Sequence, residues 1–319
     1  MTLPLRLLVV AALATSSAAA APSPTLHFRA FAHTGIRLTG VVWTGKRFLY
    51  VENTTNAIFA GGAKGGPLRP FAKLPKLVEE TRCVVSPGGH GFPAGEIYCH
   101  IPDNRIFRIS ADGTAVRLFA SLPTRRTSDG MLAIDTVGRF GYRLVAATGR
   151  SGNPTPSGGV VYTIDSAGHV RRVGAYPGPG GADEVAIAPP SFGPQAGWAL
   201  LTVDPGPTGG AVVALSPLGR MRTIAHLPDG PNPIAVIRRP SAVRGPAPPG
   251  LYVADTNTRN VYLASAEELA RYAGSVIVGG ELQARFWIIT ARGPRFVTRE
   301  LKTDLPPAKY NLEGADYAR

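Results

Sequence analysis

Short apolar runs, each bounded by glycine, proline or an acidic residue, recur along the chain from about residue 39 onwards. One unit is especially clear. It has strands at Glu96–His100 and Arg105–Ser110, a turn at Asp112-Gly113 and a last strand from Val116 to Pro123. An Asp-Gly pair between alternating apolar runs is typical of a tight β-hairpin. The pattern predicts many short antiparallel strands and hardly any helix.

Looser copies of this four-strand unit repeat at intervals of roughly 40–50 residues, the period of β-propeller blades. The residues that open the units are Thr39, Glu80, Asp129, Asp183, Asn232 and, at the chain end, Glu313. We predict an all-β fold, a six-bladed β-propeller with five blades as the alternative. The propeller is expected to form a single domain over residues 21–319, and a jelly roll is a distant second.

The repeat pattern is less regular in the part of the chain that follows Asn232. The strands Leu251–Thr256 and Asn260–Ala264 follow Asn232 and are interpreted as part of its unit. Ser265–Glu268 is a capping box that opens one short helical insertion, stopped at Gly274. The strand Leu26–Phe31 has no unit of its own. We expect it to complete the last blade and close the ring.

The first twenty residues have the layout of a secretory signal peptide. Arg6 gives a basic start, Leu7–Leu13 is an apolar run and Ala18–Ala20 is a small-residue cleavage site. The run is too short to span a bilayer. We therefore predict a secreted, extracytoplasmic protein without a membrane span.

Charge and cysteine usage refine this picture. The chain has 34 Lys and Arg against 21 Asp and Glu, a formal net charge of +13. The basic residues are scattered rather than gathered with stacking aromatics, which argues against nucleic-acid binding. A solvated basic exterior is the preferred interpretation, and weak attraction to anionic surfaces is the alternative. Cys83 and Cys99, on adjacent predicted strands of an exported protein, are expected to form a structural disulfide.

Candidate chemistry lies where the units begin, because the first residues of the innermost strands surround one mouth of a propeller channel. Most of the six opening residues carry a carboxylate or an amide oxygen. Convergent hard oxygen ligands are what calcium or magnesium requires. We predict Asp129, Asp183 and Asn232 as ligands of a divalent metal ion, with calcium preferred. The alternative is that these are ordinary turn residues, whose side chains bond to nearby backbone.

A family resemblance adds to this interpretation. The segment Ser128–Asp135 with Gly138–Phe140, and the segments that start at Asp183 and Pro231, resemble blade starts of the senescence-marker/gluconolactonase family, within the calcium-dependent phosphotriesterase superfamily. NHL-type propellers share the strand pattern. The resemblance implies a six-bladed propeller with calcium or zinc in the channel, held by Glu, Asn and Asp, and hydrolysis of lactones.

The chain departs from that family pattern at three positions. Thr39 stands where the family has a metal-binding Glu, Asn232 is followed by Pro233 rather than Gly, and Glu313-Gly314 lies at the far end of the chain. These departures predict that any metal is bound differently, or that none is bound.

Two main functions follow. The first is metal-dependent lactone or ester hydrolysis of a small molecule at the channel mouth, with Glu80, Glu313 or His226 as the catalytic base. The second is a non-catalytic propeller that binds a ligand or a protein through its loops. A lyase with His226 as its catalytic histidine is a third possibility. We expect a monomer in each case.

Overall fold

The structure is a computed structural model. It describes residues 25–55, 57–75, 80–124, 129–149, 158–176, 181–205, 209–239, 245–305 and 309–318. The predicted signal peptide, residues 1–20, lies outside these ranges. Six sheets are arranged around a channel, and the innermost strand of each sheet contacts the innermost strands of both neighbours. The prediction of an all-β, six-bladed propeller is confirmed, and the five-bladed alternative is wrong.

Each of the first four blades is a four-stranded antiparallel sheet whose strands follow one another from the channel outwards. The first blade has β3 (Leu38–Trp43), β4 (Phe48–Glu52), β5 (Ala57–Gly61) and β6 (Arg69–Lys73). The second has β7 (Arg82–Val85), β8 (Ile97–His100), β9 (Arg105–Ile109) and β10 (Val116–Ser121). The third has β11 (Met131–Ile134), β12 (Leu144–Thr148), β13 (Gly159–Ile164) and β14 (Val170–Tyr176). The fourth has β15 (Gly181–Ile187), β16 (Ala199–Asp204), β17 (Gly210–Leu215) and β18 (Met221–Leu227).

In the last two blades the order of strands in the sheet does not follow the order in the sequence, because β20 and β21 lie between β19 and β22 in the chain but belong to the sixth blade. The fifth blade has β19 (Pro231–Val236), β22 (Val276–Gly280), β23 (Phe286–Arg292) and β24 (Arg295–Thr303), with β1 (Thr25–Leu26) parallel to β24. The sixth has β25 (Leu312–Ala318), β20 (Gly250–Asp255), β21 (Asn260–Ser265) and β2 (Phe28–His33). The interpretation that β20 and β21 belong to the unit of Asn232 is therefore wrong, because they pair with β25 and β2 of the next blade.

The sixth blade combines strands from both ends of the described chain, with β2 as its outermost strand and β25 as its innermost. The expected completion of this blade by the N-terminal strand is confirmed. The ring is thus closed by hydrogen bonds between segments more than 200 residues apart.

Burial explains why these sequences form these strands. The second strand of each blade lies between neighbouring blades, so both of its faces are covered and its sequence is almost continuously apolar. β12 and β20 are buried along their whole length. The outer strands β10 and β14 each contain one fully buried residue and several exposed ones, because one of their faces meets solvent.

Helical structure is limited to two short segments among the described residues. The helix α1 (Ala266–Leu269) begins at Ser265, whose side chain accepts a hydrogen bond from the backbone N–H of Glu268, and a 3-10 turn continues it over Ala270–Tyr272. The predicted capping box is therefore confirmed. A 3-10 segment at Pro190–Gln195 was not predicted. No helix in the described ranges is long and apolar enough to cross a membrane.

The disulfide joins the two inner strands of the second blade. Cys83 on β7 and Cys99 on β8 lie directly opposite each other and are covalently bonded, as the sequence predicts. The bond closes a loop with a sequence separation of 16 residues. It therefore ties the channel-lining strand to its neighbour.

We expect the double variant Cys83→Ala/Cys99→Ala to lose about 3 kcal/mol of unfolding free energy, the loop-entropy contribution expected for a crosslink of this span. Urea denaturation followed by tryptophan fluorescence measures the loss. Wild-type protein unfolded in the presence of a reductant is the matched control and should show the same lowered midpoint. An unchanged midpoint in the variant would contradict a stabilising role for the bond.

Candidate functional site

β-Bulges at the starts of four inner strands position the predicted site residues. In three of these strands one residue has no partner on the neighbouring strand: Thr39, Asp183 and Glu313. The pairing of β19 shows a similar irregularity at Asn232. A bulge inserts an extra residue and re-aims its side chain. These four unit-opening residues therefore face the channel instead of continuing the pleat of their strands.

All six inner strands begin at the same end of the channel, which we call the mouth. The second strands run antiparallel to them and end there, so the mouth also receives Asp204 at the end of β16 and Glu281 directly after β22. These two carboxylates are not among the site residues predicted from the sequence. The available signal was an acidic residue at the end of an apolar second strand, as in Leu-Leu-Thr-Val-Asp204.

Arg82, the first residue of β7, fills the centre of the channel. Its side chain is 3% exposed. Nη1 donates to the carbonyl of Thr39 in the first blade, and Nη2 donates to Asn232 Oδ1 at 3.2 Å in the fifth and to Glu313 Oε2 at 3.1 Å in the sixth. Nε lies 3.7 Å from Glu184 Oε1 in the fourth. One guanidinium therefore connects five of the six blades.

Polar groups around Arg82 complete this channel-centre cluster, which consists of Thr39, Arg82, Glu184, Asn232 and Glu313. Asn232 Nδ2 donates to Glu313 Oε2 at 3.1 Å, and Asn311 Nδ2 donates to Glu313 Oε1 at 2.6 Å. Glu313 is 1% exposed and both of its oxygens are engaged. This environment leaves it no free oxygen with which to act as a base.

Glu184 and Glu313 have carboxyl pKa values shifted upward. Burial raises the pKa of Glu313 to about 7, with repulsion from Glu80 adding to the shift and Arg82 opposing it. Burial also raises the pKa of Glu184 to about 8, again against the pull of Arg82. Glu184 Oε2 is buried and has no hydrogen-bond partner. Conversely, the charges of these carboxylates raise the pKa of Arg82 even though burial opposes its charged form.

A second group of side chains, the mouth cluster, contains only acidic residues. It consists of Glu80, Asp129, Asp183, Asp204 and Glu281. The side chains of Glu80 and Asp129 are hydrogen-bonded to each other, and so are those of Glu281 and Asp204. Two carboxyl groups form such a bond only when they share a proton.

Proton uptake in the mouth cluster follows from burial and mutual repulsion. Burial raises the pKa of Glu281 to about 8, and the charges of Glu313 and Asp204 add to the shift. Burial and the charges of Asp129 and Asp204 hold the pKa of Asp183 well above its usual range, and burial also raises that of Asp129. Glu80 has a left-handed backbone with φ of 45°, a conformation rare for a non-glycine residue and often found at functional sites.

The predicted metal ligands are divided between the two clusters. Asn232 Oδ1 accepts a hydrogen bond from Arg82. The guanidinium therefore lies where the sequence predicted a metal ion beside Asn232. Asp129 and Asp183 lie in the mouth cluster, whose carboxylate oxygens are donors that calcium prefers. As arranged, no three His, Cys, Asp or Glu side chains of the described residues are grouped to hold one metal ion.

His226 is not brought to the mouth. It lies on β18, the outermost strand of the fourth blade, where it pairs with Ala211 and is exposed. Three strand spacings separate β18 from the channel-lining strand, about 14 Å. The prediction that His226 reaches the mouth is wrong, because the strand that carries it forms the perimeter of the ring.

Comparisons with known proteins agree with the fold. No family model and no curated protein matches the sequence. A crystal structure of a nidogen/laminin complex is similar with a TM-score of 0.57 and 12% identity, over 90% of this chain and 87% of the other. An X-ray structure of a putative gluconolactonase is similar with a TM-score of 0.51 and 11% identity, over 89% and 83%. The expected resemblance to gluconolactonase-type propellers is thus confirmed at the level of fold.

We expect Arg82→Met to lower the unfolding free energy by about 3–5 kcal/mol, because it leaves the buried carboxylates Glu184 and Glu313 without their counter-charge. Chemical denaturation measures the loss. Arg285→Met is the matched control. It breaks the 2.7 Å ion pair with the exposed Glu300 and should cost less than about 1 kcal/mol. Equal losses in the two variants would rule out a central role for Arg82.

The raised carboxyl pKa values predict that stability falls as pH rises. The Glu313 carboxyl has an ordinary value of 4.5 and a folded value of about 7, so between these pH values the folded state retains a proton that the unfolded state has released. Stability from this group is complete below about pH 4.5 and is lost as pH rises through 7. Melting temperatures from pH 5 to 8 test this. Glu313→Gln should flatten the profile, and parallel profiles for the two proteins would refute the assignment.

Proposed function

We propose that this chain is a secreted hydrolase of lactones or related esters, with its active site at the channel mouth and a divalent cation, by preference calcium, as cofactor. The observation that carries the proposal is the mouth cluster, in which carboxyl groups face and hydrogen-bond to one another. Such an arrangement is unfavourable at neutral pH unless protons or a cation offset the repulsion. The disulfide and the absence of a membrane-spanning helix among the described residues are compatible with export.

Asp129 and Asp183 are the residues proposed to hold the cation, since they lie among the carboxyl groups of the mouth cluster. Asn232 is not included among the proposed ligands, because its side-chain oxygen accepts a hydrogen bond from the Arg82 guanidinium. The chelating carboxylates would have to move closer together on binding, since no three of them converge in the present arrangement. When bound, such an ion polarises a substrate carbonyl and stabilises the developing negative charge.

The remaining side chains of the mouth supply acid–base chemistry. Glu281, with a pKa of about 8, is largely protonated at neutral pH and donates to Asp204, so it can protonate a departing alkoxide oxygen. Glu80 is the proposed base that removes a proton from the attacking water. Glu313 is excluded from this role by its full hydrogen-bonding, and His226 by its position on the perimeter.

The test combines metal binding with turnover. Purified mature protein is titrated with calcium chloride by calorimetry and assayed on a panel of γ- and δ-lactones and nitrophenyl esters. Asp129→Asn and Asp183→Asn should each weaken calcium binding and lower kcat/KM by at least about 100-fold, the size of effect expected for losing one ligand and its charge stabilisation. Asp165→Asn, at a distant exposed turn, is the matched control and should leave both quantities unchanged.

Three results would speak against the proposal in different ways. Turnover without calcium binding would remove the cofactor and leave a carboxylate-based hydrolase. Calcium binding without turnover on any ester would leave a cation-binding propeller. If neither is observed, the non-catalytic binding propeller becomes the better interpretation.

A further inference from the structure

Basic side chains that are scattered along the sequence gather on the outer rim of the ring. In every blade the fourth strand from the channel carries exposed Arg or Lys side chains. They are Arg29, Arg69, Lys73, Arg117, Arg171, Arg172, Arg222, Arg295, Arg299 and Lys302. The one acidic residue on these strands is Glu300, which is ion-paired with Arg285. Positive charge therefore lies on the rim, while the mouth is acidic.

Two neighbouring hairpins concentrate this charge at the end of the ring opposite the mouth. The strand β16 ends at the mouth, so the antiparallel β17 leads away from it and the β17–β18 turn lies at the far end. In the fifth blade β22 likewise ends at the mouth, so β23 leads away from it and the β23–β24 turn also lies at the far end. Residues 216–223 and 291–299, which cover the two turns, contain no Asp or Glu.

Exposed apolar side chains stand among these arginines. Leu218 is 80% exposed, Met221 38% and Val297 41%. Within the described residues they are half of the six large hydrophobic side chains that are markedly exposed. We call Leu218, Arg220, Met221, Arg222, Arg292, Arg295 and Val297 the basal patch.

The two hairpins are held together as one surface. Arg222 Nη2 donates to the carbonyl of Pro294 at 2.8 Å, and its guanidinium lies over the ring of Phe296 at 5.2 Å from the centroid. Phe296 in turn packs against Phe192 of the 3-10 segment. These contacts hold the patch in one conformation before it binds, so binding loses little conformational entropy.

We propose that the basal patch docks the protein on an anionic lipid bilayer. Four arginines without a nearby acidic residue match a negatively charged headgroup layer, and Leu218, Met221 and Val297 are available to insert between the headgroups. A hydrated anionic polymer would match the arginines but would leave the three apolar side chains in water. The combination therefore favours a bilayer over a polysaccharide or a nucleic acid.

Docking in this way fixes the orientation of the molecule. The mouth cluster lies at the opposite end of the channel from the basal patch, so it faces away from the membrane and stays open to solvent. The repulsion between its carboxylates and the anionic headgroups is also minimised by this distance, because charges more than about 8–10 Å apart are largely screened at physiological salt.

The experiment is co-sedimentation of the mature protein with vesicles of phosphatidylcholine containing 30% phosphatidylglycerol. Arg220→Gln/Arg292→Gln/Arg295→Gln should lower the partition coefficient about 100-fold, since each arginine near the surface contributes about a fivefold factor. Arg37→Gln/Lys73→Gln/Lys302→Gln removes the same charge from exposed side chains near the mouth end of the ring, where β3 begins and β6 and β24 end, and should lower it less than about threefold. Leu218→Ser/Met221→Ser should lower it about tenfold while leaving retention on dextran sulfate unchanged. Melting curves verify that each variant is folded.

Two outcomes would overturn the proposal. Equal losses in the two triple variants would mean that binding follows net charge and not the basal patch. Unchanged vesicle binding of Leu218→Ser/Met221→Ser, with binding of wild type to dextran sulfate as tight as to vesicles, would identify an anionic polymer as the partner.

Discussion

The guanidinium of Arg82 at the channel centre is the contact on which the rest of the structure depends. Six inner strands converge on one axis, and each brings backbone and polar side-chain groups that water reaches poorly. A planar cation with five N–H donors is suited to such a place, because it can bond in several directions at once. From the second blade it reaches Thr39, Glu184, Asn232 and Glu313, each on a different blade. The ring is therefore stabilised at its centre by the contacts of one guanidinium and at its edge by the hydrogen bonds between β2 and β21.

A buried ion pair of this kind is weak support for net stability, because desolvating the charges offsets much of their attraction. Its stronger effect is on specificity. An arrangement with one blade fewer, or with the last two blades in a different order, would leave Glu184 or Glu313 buried without a counter-charge. The penalty for that error is several kcal/mol, because one charge would be buried without its partner.

The sequence predicts the blades well because their period, their turns and the polar residues that open them all repeat. Glu80, Asp129, Asp183, Asn232 and Glu313 are predicted at one mouth on that basis alone. Bulges at Asp183 and Glu313, with the irregularity of β19 at Asn232, explain why these three side chains turn inward. The exchange between the last two blades was not predictable, since β20 and β22 are both short apolar runs that fit either sheet. The central role of Arg82 was not predicted, because Glu80, two residues earlier, matches the acidic residues that open the other units. The usable signal was a charged residue opening the otherwise apolar strand Arg82-Cys-Val-Val.

The two clusters differ in how the hydrogen-bonding capacity of their polar groups is satisfied. Around Arg82 most polar atoms have a partner of opposite character, as a structural centre requires. In the mouth cluster the partners of carboxyl groups are other carboxyl groups, which costs stability at neutral pH. Natural proteins keep such unfavourable arrangements where function needs them and offset the cost elsewhere. The basic rim does not relieve the cost, because screening limits its influence to about 10 Å. A net charge of +13 therefore says little about the mouth, where the local field is negative and attracts cations.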